Sequence, residues 1–128
     1  MEPIPNPVRV RQRLRESLRV AISSRDEIAV AALRSALSAV DNAEAVDRSH
    51  APAPTEVIGD VRLGVGAGEV ARRELTAEDV LEVVRVEVTD RTVAAAEYER
   101  LGRAEQASRL KAEAKALLSF LETALRDP

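Results

Sequence analysis

Four arginines near the N-terminus have the spacing of a phosphate-binding surface. Arg11, Arg15 and Arg19 recur every four residues, which places them on one face of a helix, and Arg25 follows six residues later. A row of guanidinium groups neutralises phosphates with little regard to base sequence. We therefore interpret the four residues as a candidate nucleic-acid contact. The alternative is a solvated helix face that pairs with acids elsewhere, and no aromatic residue lies among them for base stacking.

The other residues that could do chemistry lack partners in the sequence. His50 is the only histidine, and the partners that a catalytic triad or a histidine metal site would need are not found in the sequence. The glycines within residues 64–68 lack the Gly-Lys-Ser/Thr ending of a phosphate loop. Acid pairs such as Glu78 and Glu82 are expected by chance among 22 carboxylates. The sequence thus predicts no catalytic residue, no metal site and no cofactor.

Arg91 is unusual because it falls among apolar residues of a helical stripe. Its aliphatic stem could lie along apolar neighbours, or its guanidinium could pair with an acid of another helix such as Glu113. A structural ion pair is favoured over a ligand site. The stripe steps by three and four residues and consists of Leu81, Val84, Val88, Arg91, Ala95 and Tyr98.

Helical periodicity predicts the elements that position these side chains. A first helix runs from about Val8 to Ser23, and Asp26 is a plausible N-cap for a second, alanine-rich helix. A third helix begins after Thr76, whose pairing with Asp79 approximates a capping box, and it stops at Gly102. A fourth helix fills the remainder. The short joints predict two helical hairpins and an all-α fold.

Two segments interrupt this pattern. Residues 1–8 carry three alternating prolines, which predict an extended arm before a single helical domain over 9–128. Residues 47–75 are rich in glycine and proline, which predicts a long flexible loop that joins the hairpins.

Composition limits the classes of function. With 45% hydrophobic and only 2% aromatic residues, the 128-residue chain must build its core from alanine, valine and leucine. The net charge of −3 argues against a generally basic nucleic-acid binder, yet residues 1–25 carry +4 and the rest −7. Cysteine is absent, and no stretch has the length of a membrane span or the apolar core of a signal peptide. We expect a cytoplasmic protein without membrane contact.

Several short features follow one another in a set order along residues 14–121, and they are Arg25-Asp26, Leu33-Arg34, Leu75-Thr76, Glu87-Val88, Arg91, Tyr98 and Gly102-Arg103. Their order and spacing resemble the YqeY-like family, which is related to the C-terminal region of the GatB subunit of tRNA-dependent amidotransferase. Members of that family usually continue through a Leu-Pro step into a second small helical bundle. Here Glu122 follows Leu121, so the resemblance covers the front module only.

The resemblance implies an all-helical, non-catalytic module that is associated with tRNA or with an amidotransferase complex on aminoacyl-tRNA. It also draws attention to Arg34 and Arg103, beside Arg91, as structural or ligand-pairing residues. The alternative is a protein-interaction module without an RNA role, for which the alanine and leucine seams could continue across a homodimer. A third hypothesis, suggested by the family label, is a carbon–nitrogen ligase role with glutamine as amide donor.

Overall fold

The computed structural model describes residues 6–49 and 74–126, which form four α-helices and no strand. The helices are α1 (Pro7–Ser23), α2 (Glu27–Ser49), α3 (Ala77–Arg100) and α4 (Ala104–Arg126). Helices α1 and α2 form one hairpin, and α3 and α4 form the other. The predicted all-α fold of two helical hairpins is therefore confirmed.

Helix α1 starts at Pro7, one residue before the predicted start at about Val8. Pro7 occupies the first turn, where the N–H that proline lacks would have no partner within the helix. Asn6 is the N-cap, and its side-chain oxygen accepts a hydrogen bond from the Arg9 N–H at 2.9 Å. The predicted arm over 1–8 therefore gives way to helix at Pro7. Helix α2 likewise continues to Ser49, past the predicted loop start at 47, and residues 50–73 lie outside the described part.

The joint between α1 and α2 is a three-residue turn with a left-handed residue. The Asp26 N–H donates to the Ala21 carbonyl and the Arg25 N–H to the Ile22 carbonyl, the pair of bonds that defines a Schellman motif. Arg25 adopts φ +58°, a conformation that usually selects glycine. Asp26 then caps α2 by accepting from the Ala29 N–H at 3.1 Å, as predicted.

In the second hairpin, α3 also ends at a left-handed residue, which here is the predicted glycine. Gly102 has φ +78°, and the N–H groups of Gly102 and Arg103 close the end of α3 on the carbonyls of Glu99 and Tyr98. At the start of α3, the Thr76 N–H donates to the Asp79 carboxylate and the Asp79 N–H donates to the Thr76 hydroxyl oxygen, both at 3.0 Å. The predicted capping box and glycine stop are both present.

A single core joins the two hairpins. Helices α3 and α4 share the most extensive contact, α2 packs on α1, α3 and α4, and α1 meets α4 least. The largest fully buried side chains are leucines and valines, as the low aromatic content required, and they are Leu14, Val40, Val80, Leu81, Val84 and Leu117.

Candidate nucleic-acid interface

The structure separates Arg11 from the other arginines of the predicted patch. Its guanidinium forms an ion pair with Glu44 of α2, and only 16% of its side chain is exposed. An arginine held by a carboxylate has to break that pair before it can contact a phosphate. Arg11 therefore ties α1 to α2, and it is not part of the exposed surface.

Arg15, Arg19 and Arg25 are exposed, as the phosphate-contact interpretation requires. They form no ion pair within residues 6–49 and 74–126, and the exposed Arg34 of α2 does not either. We call these four side chains the basic face: Arg15, Arg19, Arg25 and Arg34.

Helix geometry places these arginines near Ile22 and the groove that it lines. At 100° per residue, Ile22 lies within about 60° of both Arg15 and Arg19 on the surface of α1. Ile22 also lines a groove of about 450 Å³ together with Arg25, at the joint, and Arg34, on α2. The α1–α2 hairpin thus presents its exposed guanidinium groups along one side. We call this cavity the hairpin groove, and its walls are Ile22, Arg25, Glu27, Val30, Ala31 and Arg34.

Cations of the other hairpin are more often neutralised. Arg85 pairs with Glu78 and Glu82 at 3.0 and 3.2 Å. Arg100 pairs with Glu97, and Lys111 pairs with Glu99. These exposed pairs contribute little to stability, yet they cancel positive charge locally. Among the described residues, the α1–α2 hairpin therefore holds more cations without an ion pair than the α3–α4 hairpin does.

The left-handed conformation of Arg25 leads to a testable prediction about stability. A non-glycine residue at φ +58° destabilises the folded state by about 1–2 kcal/mol. Glycine removes this strain, but it loses more conformational entropy on folding, which offsets about 0.5–1 kcal/mol of the gain. We expect Arg25→Gly to raise the free energy of unfolding by about 0.5–1 kcal/mol, measured by urea denaturation. Arg25→Ala, which keeps the strained backbone, should not be stabilised. Equal stabilities of the two variants would contradict the assignment of strain.

The predicted pair between Arg91 and Glu113 is present, within a larger network. The Arg91 Nε donates to Glu113 Oε1 at 2.9 Å, and Arg91 Nη1 donates to Glu87 Oε1 at 2.9 Å. The Ser35 hydroxyl of α2 donates to the same Glu87 oxygen at 2.8 Å. Arg109 reaches the second oxygen of Glu113 at 3.1 Å. The network joins three helices at one level of the bundle.

The charged side chains of this network are largely buried, which makes their pairing important for stability. Arg91 and Glu113 expose only 12% and 11% of their side chains. Burial by itself lowers the pKa of Arg91, but its hydrogen bonds to Glu87 and Glu113 outweigh that effect and hold the pKa above its ordinary value. The arginine is therefore firmly charged and bound to both carboxylates, which fits a structural role.

The remaining sequence candidates are scattered. Arg103 is exposed at the joint of α3 and α4, where its backbone N–H closes the helix end. His50 and the glycines of 64–68 lie outside the described residues. Within the described ranges, no group of three His, Cys, Asp or Glu side chains converges as a metal site. None of the four helices is long and apolar enough to cross a membrane.

Two parts of the site were not found from the residue pattern. Arg34 was singled out only through the family resemblance, because a lone arginine on an alanine-rich helix carries no periodic signal. The apolar wall formed by Ile22, Val30 and Ala31 was missed because helical periodicity groups Ile22 with the apolar positions of the first helix, which suggests burial, whereas Ile22 is 49% exposed.

Comparison with known proteins leaves the family assignment open. No protein-family model, curated protein or solved structure matches the chain significantly. The YqeY-like assignment therefore stays a prediction that rests on the short sequence features alone.

Proposed function

We propose that this chain is a non-catalytic helical module that binds RNA of the tRNA class through the basic face. The observation that carries the proposal is the set of four exposed arginines on one side of the α1–α2 hairpin, without acidic partners among the described residues. Free guanidinium groups on a rigid scaffold are suited to phosphate oxygens, because a planar fork can donate two parallel hydrogen bonds.

The choice of tRNA rests on the resemblance to the YqeY-like family. That likeness would connect the module with tRNA-dependent amidotransferase, either through the shared tRNA or through the enzyme complex. Arg91 is bound to two glutamates inside the bundle, so it serves the fold and is not available to a ligand. The exposed arginines of the basic face are the ones that remain available.

Salt dependence is the first test of this proposal. About three or four phosphate contacts predict that the logarithm of the binding constant falls with the logarithm of salt with a slope near −3. The affinity of the purified chain for tRNA should then drop roughly 60-fold between 50 and 200 mM KCl. Fluorescence anisotropy with labelled tRNA measures both values. Binding that is absent at 50 mM, or that does not change with salt, would refute the proposal.

A second candidate function, self-association, is favoured by two exposed valines on α3. Val86 and Val93 are 47% and 64% exposed and lie two turns apart on one face. Contact between such faces is apolar, so it would persist at high salt, where phosphate contacts fail. Sedimentation equilibrium at 50 and 500 mM KCl separates the two functions.

A further inference from the structure

We infer that the hairpin groove receives an unpaired nucleotide, so that the module prefers single-stranded or looped RNA over a duplex. This inference rests on the proposed RNA-binding function and specifies which form of RNA the site takes. It depends on the walls of the groove, which combine apolar and cationic surface in one cavity.

The apolar wall offers a surface for the face of a base. Ile22 leaves half of its surface in water, an exposed large aliphatic side chain beside the smaller Val30 and Ala31. A base that covers this wall removes apolar area from water, which favours binding. The volume of about 450 Å³ lies within the range of roughly 300–1,000 Å³ that small-molecule sites occupy.

The charged walls provide the other two contacts that a nucleotide needs. Arg25 and Arg34 can donate to its phosphate, or one of them can stack its guanidinium plane on the base, which replaces the missing aromatic residues. Glu27 repels phosphate and accepts hydrogen bonds, so it is suited to an amino group on a base edge. Charge complementarity therefore favours a nucleotide over a simple anion.

A duplex cannot use this groove, because its bases are stacked on one another inside the helix and their faces are covered. Electrostatics alone predicts the opposite preference, since a duplex carries a denser array of phosphates than a single strand. A preference for the single strand would therefore be caused by binding in the groove and could not be explained by the charge of the basic face.

The test compares a labelled 12-nucleotide RNA with the same RNA annealed to its complement, by fluorescence anisotropy at 50 mM KCl. We expect the full chain to bind the single strand about tenfold more tightly, which is the gain expected when a base covers roughly 55 Å² of apolar surface. Ile22→Ala and Ala31→Leu, which remove the wall or fill the groove, should abolish the preference and leave duplex binding unchanged. Val20→Ala, at the 63% exposed valine two residues away on the same helix, is the matched control and should keep the preference.

The outcomes distinguish this inference from the function on which it rests. Equal or tighter binding of the duplex by the unaltered chain, with the expected salt dependence, would overturn the inference and leave the RNA-binding function in place. A preference that survives both groove variants, with circular dichroism showing intact helices, would also overturn it. Binding of neither RNA would overturn both.

Discussion

Replacing Arg91 by methionine should lower the free energy of unfolding by about 3–5 kcal/mol. Arg91 is the hub that holds two largely buried carboxylates, Glu87 and Glu113, from neighbouring helices. Methionine fills much of the same volume but leaves both carboxylates without their common cation. Because charged groups out of water need partners, the loss exceeds that of an exposed ion pair several-fold. Urea denaturation followed by circular dichroism measures it.

Arg85 provides a matched control on the same helix. It also pairs with two glutamates, but these pairs are solvent-exposed, so Arg85→Met should cost less than about 1 kcal/mol. Arg91→Met combined with Glu113→Leu should recover part of the stability, because apolar packing replaces one of the two ion pairs while Glu87 stays without its cation. If Arg91→Met were as stable as Arg85→Met, the arginine would not be structural, and the ligand-site alternative would gain support.

Local sequence patterns were sufficient to predict the helices and their ends. Capping residues such as Thr76 and Asp26 act within four residues, and Gly102 acts through its own backbone freedom, so each can be recognised without the rest of the fold. The start of α1 was predicted to within one residue: the three prolines predict an extended chain up to Val8, whereas Pro7 fits the first turn of the helix.

Contacts between hairpins were less predictable, because periodicity identifies the face of a helix but not its neighbour. The Arg91–Glu113 pair could be predicted because both residues lie in one hairpin with a short joint. Ser35, which is 52 residues from its partner Glu87, could not be found in this way. For the same reason the pattern grouped Arg11 with Arg15 and Arg19, whereas Glu44, 33 residues away, removes Arg11 from the exposed surface.

Reversing the charge of two arginines should largely abolish binding of tRNA to the basic face. Arg15→Glu with Arg19→Glu removes two phosphate contacts and places two repelling charges beside the hairpin groove. We expect the affinity for tRNA at 50 mM KCl to fall about 100-fold or more. Both side chains are exposed and unpaired among the described residues, so the helical content and the free energy of unfolding should change little.

The most direct test of the account compares this double variant with Arg103→Glu combined with Arg126→Glu. Both variants shift the net charge from −3 to −7, and both replace exposed arginines, but the second pair lies at the ends of α4. The measurement is the affinity of each for tRNA by anisotropy at 50 mM KCl. The account predicts that only the Arg15 and Arg19 variant loses binding by about two orders of magnitude. Equal losses would mean that tRNA responds to net charge alone, which would contradict a site on the α1–α2 hairpin.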